Sequence, residues 1–197
     1  MKFILASDSP RRKKLLSNFN LDLESVSHKF SENSVSKKTN TPEEYCKLIS
    51  EGKSKSLSKD FINNLIISAD TIVVIDNLIL EKPEDKEDAH KMLKLLSGRQ
   101  HSVITAVSLL YINRNIDYTF TEKTLVTFNN LNETEILYYI NNYNPYDKSG
   151  SYGIQDFSSI FVKSINGCFF NVMGLPLSTL FYYLKKFNFI QFSLNRG

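Results

Sequence analysis

The run from Leu65 to Ile75, LIISADTIVVI, constrains the fold more than any other segment of the chain. Its β-branched content disfavours a helix, and it is too apolar for an exposed edge, so it reads as a central strand. One carboxylate, Asp70, interrupts it. A charge there incurs a large desolvation cost unless it is paired, hydrogen-bonded or bound to a metal. On the residues alone two readings stand: a functional carboxylate, or a structural one tied to a loop or ending the strand early.

Helices and further strands interleave around this run. Lys2 to Ala6 is short and β-tolerant, after which Ser9 caps and Pro10 opens a helix whose Leu15, Leu16 and Phe19 supply an apolar face. Ser27 to Asn40 reads as a loop. Thr41-Pro42-Glu43-Glu44 is a capping box opening a helix through Tyr45, Leu48, Ile49 and Leu57, weakened at Gly52. Asp76-Asn77 turns the chain, and Asp85 caps a helix with Ala89, Met92, Leu93 and Leu96 on one face, ended by Ser97-Gly98. Ser102 to Ile112 and Tyr118 to Phe128 read as a long hairpin around Arg114 and Asn115. Asn132 and Glu135 start another helix, Ile160 to Ile165 and Cys168 to Val172 read as a second hairpin around Asn166-Gly167, and Pro176 opens the last helix. Interleaving together with hairpins implies an α/β fold with a mixed sheet.

With 197 residues, 42% of them hydrophobic and 23% charged, the chain suits a single domain over 1–197. Folding at this length removes roughly 70% of the unfolded surface from water, so no disulfide or structural metal is needed. Cys46 and Cys168 are far apart with no C-x-x-C and no neighbouring His pair, which fits a reducing, cytoplasmic setting. His28, His90 and His101 show no ligand spacing. The apolar start is cut off by Ser7 and Asp8, and the stretch from Cys168 to Leu184 is interrupted by Asn171, Gly174, Pro176 and Ser178. Neither suits a signal or a membrane span, so no membrane partner is expected, and the second reads as buried core. The net charge of +3 comes from scattered lysines, and no stable nucleic-acid partner is expected.

Three groups of residues carry chemistry. Arg11, Arg12, Lys13 and Lys14 crowd the first turn of the first helix, where the macrodipole is already positive. Such a helix start, with Ser7 and Ser9, makes a phosphate cradle or else a solvated basic surface. Lys82, after the next short strand, stands near Asp70 or is an ordinary loop lysine. The third group, Asp147 to Gln155, has two glycines and two serines that allow close backbone approach, and Gln155 offers both a donor and an acceptor to a base edge. It also reads as a plain connecting loop.

Together these segments resemble the Maf family of nucleoside triphosphate pyrophosphatases. The resemblance rests on Leu5-Ala6-Ser7-Asp8-Ser9-Pro10-Arg11-Arg12, Ser68-Ala69-Asp70-Thr71 with Glu81-Lys82-Pro83, the stretch from Ser97 to Thr105, the Asp147 to Gln155 loop, and Asn171-Val172-Met173-Gly174-Leu175-Pro176-Leu177. Ser31, Ser149 and Asp156 depart from the family's usual residues. The resemblance implies a highly twisted mixed sheet with flanking helices and a central cleft, the Maf/ITPase-like arrangement. It also implies hydrolysis of a nucleoside triphosphate between the α and β phosphates, and a homodimer. Ser7, Arg11, Arg12, Lys53 and Lys82 would neutralise the triphosphate, Glu32 and Asp70 would hold a divalent cation, Mg2+ or Mn2+, and Asp70 would orient or deprotonate the attacking water.

Ala69-Asp70-Thr71 and Tyr152-Gly153-Ile154-Gln155 resemble the branch acting on dTTP, UTP and modified pyrimidine nucleotides. The sister branch directed at 7-methyl-GTP has Gln where Thr71 stands. By the same resemblance Arg11, Thr71 and Gln155 would select the base. The competing class of function is a non-catalytic nucleotide- or RNA-binding regulator of cell division, which has no need of a carboxylate buried in an apolar strand. No G-x-x-x-x-G-K-[ST] supports a P-loop enzyme, and no G-x-G-x-x-G a dinucleotide site.

Overall fold

In the computed structural model, which describes residues 2–37 and 39–191, the central run forms strand β3 (Leu65–Ile75), buried along nearly its whole length. Its first half pairs in parallel with β1 (Phe3–Ala6), which pairs in parallel with β2 (Leu23–Val26). Its last residues pair antiparallel with the short β4 (Leu78–Leu80). The opposite edge pairs antiparallel with β5 (Gln100–Tyr111), followed outward by β6 (Ile116–Phe128) and β7 (Val162–Asn166). The described residues thus form one seven-stranded mixed sheet.

A gap in this ladder positions the site. The β1 pairing ends at Ala6 opposite Ser68, and the β4 pairing begins at Leu80 opposite Val73. Between them Ala69 to Ile72 have a strand neighbour on the β5 edge only. Chain departing from β1 and chain arriving from β4 border this opening, as at the switch points where open α/β sheets bind ligands.

Each helix has an identifiable start. α1 (Pro10–Ser17) is capped by Ser9 with Pro at its first position, and α2 (Pro42–Lys55) by the Thr41–Glu44 capping box. α3 (Lys86–Leu96) starts from Asp85, and α4 (Glu133–Asn142) from the Asn132–Glu135 box. α5 (Phe169–Val172) and α6 (Leu177–Lys186) follow β7. Side chains alternate across β3, so its residues divide between two layers. Ile66 and Ile72 meet the layer of α2, where Tyr45, Cys46, Ile49 and Leu57 pack. On the other face Leu65, Ile67 and Ala69 join Leu15, Leu16, Leu180 and Leu184, while Val73 and Ile75 join Leu93, Leu96, Val126 and Phe128. Thr71 falls between those two apolar groups. At roughly 25 cal/mol per Å2 of buried apolar surface, each of these fully buried Leu and Ile side chains contributes about 2 kcal/mol.

Two expectations need correction. Ile160 to Ile165 and Cys168 to Val172 do not form a hairpin: Val162–Asn166 pairs with β6, and Phe169–Val172 is a helical turn. The Thr124 hydroxyl and the Cys168 amide and carbonyl meet there, which ends the strand pairing and starts the turn. The stretch from Cys168 to Leu184 is also only half core. Leu175, Leu180 and Leu184 are buried, whereas Phe169, Phe170 and Tyr182 are exposed. Leu48 likewise faces solvent on α2. No helix of the described residues is long and apolar enough to cross a membrane.

Candidate active site

A cleft of about 530 Å3 opens over the gap in the ladder, and every residue to which the resemblance gives a role lines it, Ser7, Arg11, Arg12, Glu32, Lys53, Asp70, Thr71, Lys82 and Gln155, whereas Lys13 and Lys14 of the basic run lie exposed outside it. Its floor is the Asp70-Thr71 pair. Because neighbours on a strand address opposite faces, Asp70 meets α2 and Thr71 meets α1 and the turn after α5.

On the Asp70 side, Lys53 Nζ donates to Asp70 Oδ1 at 2.7 Å and lies 2.9 Å from Glu32 Oε1. The Lys53 side chain is 6% exposed and that of Asp70 12%, so the ammonium compensates a carboxylate held largely out of water. Cys46 Sγ donates to the Asp70 carbonyl at 3.3 Å, and burial, with the Asp70 charge beside it, pushes this thiol well above its ordinary pKa. His28 Nε2 lies 3.6 Å from Glu32 Oε1. Burial lowers its pKa and Lys53 lowers it further, with Glu32 opposing.

On the Thr71 side, Arg12 is half-buried and its guanidinium is held by three protein groups. Its Nε donates to the Gly174 carbonyl at 2.8 Å, one terminal nitrogen to Thr71 Oγ1 at 2.9 Å and the other to Ser7 Oγ at 3.3 Å. Burial pulls the guanidinium below its ordinary value, and Asp70 opposes that. Gly174 sits at φ +105°, and a Cβ there would stand 3.3 Å from Thr71 Oγ1, so glycine permits this close approach.

The loop after α4 closes the cleft. Arg11 donates from its two terminal nitrogens to Asp147 Oδ2 at 2.5 Å and to the Asp147 carbonyl at 2.9 Å, tying α1 to the start of this loop. Burial raises the Asp147 pKa, but hydrogen bonds from Lys148 and Arg11 outweigh it and hold the carboxyl below its ordinary value. Ser149 Oγ donates to the Thr71 carbonyl at 2.8 Å, using an acceptor near the gap. Asp156, a departure from the family pattern, accepts from Ser158 Oγ at 2.7 Å and lies 3.4 Å from Lys148 Nζ. Gln155 is exposed at the cleft mouth, and among the described residues it and Lys82 make no hydrogen bond or ion pair.

Sequence reasoning assigned no supporting role to four residues that have one. Cys46, Asp147, Thr105 and Asn171 hold site residues, and the signal for Thr105 and Asn171 was a polar side chain inside an apolar run. The described residues contain no cluster of three or more His, Cys, Asp or Glu set to hold a metal ion by themselves. Glu32 and Asp70, however, converge on the Lys53 ammonium, so two carboxylate oxygens already share one cation.

The family model for Maf-like proteins matches residues 2–187. The chain belongs to the Maf family. A Maf relative from Ruminiclostridium cellulolyticum, named dTTP/UTP pyrophosphatase, is 43% identical over 185 residues, 94% of this chain and 95% of that one. Proteins of the same name from Thermosipho africanus and Clostridium beijerinckii are 44% and 42% identical, covering 90% and 94% of this chain and 89% and 99% of theirs. The solved structure of the Staphylococcus aureus Ham1 protein aligns at a TM-score of 0.44 and 17% identity over 65% of this chain and 72% of that one.

Proposed function

We propose that the chain hydrolyses dTTP, UTP and related pyrimidine triphosphates to the nucleoside monophosphate and pyrophosphate. The observation that carries this reading is the split at the strand gap: adjacent residues deliver a carboxylate, Asp70, to one wall of the cleft and a hydrogen-bonding hydroxyl, Thr71, to the other. The name shared by the relatives supports the substrate class.

Asp70 accepts from Lys53 through Oδ1, and among the described residues Oδ2 has only the distant Cys46 thiol at 3.9 Å. That second oxygen is available to take a proton from water as the water adds to phosphorus and the α–β anhydride opens. Lys82, exposed at the cleft edge, supplies positive charge where the leaving pyrophosphate gains negative charge, and Arg11, shared with Asp147, adds to it. Arg12 acts through the groups it holds, Ser7 and Thr71. Glu32 and Asp70 fit a hard divalent cation, Mg2+ or Mn2+, which binds through one or two carboxylates with phosphate oxygens completing its shell. When bound, such an ion neutralises phosphate charge. Lys53 orients both carboxylates.

Gln155 and Thr71 read the base, since a site built to hydrogen-bond one edge rejects bases that leave its polar groups unpaired. Pyrophosphate release measured across UTP, dTTP, CTP, ATP, GTP and 7-methyl-GTP, with and without Mg2+, tests the reading. UTP and dTTP lead if it holds; a lead for purines or 7-methyl-GTP overturns it.

A further inference from the structure

Thr105, wholly buried on β5, has its hydroxyl 3.0 Å from two oxygens, the Asn171 carbonyl and the Thr71 hydroxyl. A carbonyl only accepts, and a hydroxyl carries one proton. Thr105 therefore donates to Asn171, and the assignment that leaves no two lone pairs facing each other has Thr71 donating to Thr105. The other acceptor near Thr71, the Gly174 carbonyl at 3.5 Å, also lies within the protein and already receives Arg12 Nε. Arg12 in turn donates to Thr71 Oγ1. With its proton committed inward, the Thr71 hydroxyl offers the cleft a lone pair.

Gln155 carries no such constraint. Its amide is exposed and turns to present either a donor or an acceptor. Discrimination between two pyrimidines of the same size then falls to the group whose polarity is set.

We propose that Thr105 is a positioning residue for base selection. By holding the Thr71 hydroxyl as an acceptor, it admits pyrimidines that carry N3–H, uracil and thymine, and excludes cytosine, whose N3 is itself an acceptor. This rests on the reading of the cleft as a pyrimidine nucleotide site with Thr71 at the base. Asn171 O also accepts from the Gly174 amide at 2.9 Å, so removing the Thr105 hydroxyl leaves that carbonyl partnered.

The test compares kcat/KM for UTP, CTP and N3-methyl-UTP in the wild type, Thr105→Val and Thr105→Ser. The wild type is expected to favour UTP over each of the other two by at least about tenfold. In Thr105→Val the Thr71 hydroxyl loses its 3.0 Å partner and keeps only the Gly174 carbonyl at 3.5 Å, a carbonyl that already receives Arg12, so its proton also turns toward the cleft, kcat/KM for CTP rises in absolute value and the UTP/CTP ratio falls at least about tenfold. Thr105→Ser keeps the wild-type ratio. Partial unfolding lowers all rates together and raises none. An unchanged ratio in Thr105→Val overturns the proposal, and so does equal turnover of UTP and N3-methyl-UTP by the wild type, which decides the matter even if the Val variant does not fold. Absence of pyrophosphate from both UTP and dTTP defeats the pyrimidine reading itself, and the proposal with it.

Discussion

Lys53 Nζ stands 2.7 Å from Asp70 Oδ1, and both side chains are largely withdrawn from water. Removing one partner of a buried pair costs more than the pair is worth, because the other charge is left uncompensated. Lys53→Met should therefore lower stability by about 3 kcal/mol, measured by urea unfolding. Adding Asp70→Asn should recover part of that loss. Equal stability of wild type and Lys53→Met would show that the pair contributes nothing to holding α2 against β3.

Lys82 is exposed and unpaired among the described residues, so its removal should leave stability alone. Lys82→Ala should raise KM for the triphosphate and lower kcat, about tenfold or more together in kcat/KM, with the effect shrinking as salt is added. Unchanged kinetics at low salt would remove Lys82 from the phosphate site.

His101 is buried against Tyr152 and Phe128, its Nε2 is 2.7 Å from the Tyr152 hydroxyl, and burial lowers its pKa to about 4. The unfolded chain, with an ordinary imidazole near 6.5, binds more protons than the folded one between those values. Stability is therefore lost as pH falls from about 6.5 to 4, by about 2 kcal/mol between pH 7 and 5. His101→Gln should flatten the pH dependence by that amount in chemical unfolding at the two pH values. An identical pH slope in the variant would contradict a neutral buried imidazole.

Cys46 is fully buried and its thiol is pushed up, whereas Cys168 is partly accessible. Iodoacetamide at pH 8 should modify Cys168 in the native protein and Cys46 only after unfolding. Native labelling of Cys46, read by peptide mass, would mean that α2 opens away from β3.

The central strand, the capping residues and the oddity of Asp70 were legible because each is local: a β-branched run, a cap three residues before its acid, a charge where none is cheap. The failed hairpin at Asn166-Gly167 was not, because the same turn signal serves a strand pair or a strand-to-helix turn. The contacts of Thr124 with Cys168 decide between them from another part of the chain. The hydrogen-bonded supports were hidden for the same reason. Thr105 reads as a strand residue until β3 is laid beside β5 and Asn171 beneath both. Arg12 reads from the sequence as a phosphate ligand, and that the carbonyl of Gly174, distant in sequence, accepts from its Nε shows only once the fold is built.

Asp70→Asn keeps the shape of the side chain and leaves Lys53 paired with Glu32, so the variant should stay folded. Pyrophosphate release from UTP with Mg2+, measured on folded wild type and Asp70→Asn side by side, tests the catalytic role directly. A fall in kcat of at least about a hundredfold is expected of a lost general base, and retention of more than about a tenth of wild-type kcat would contradict it.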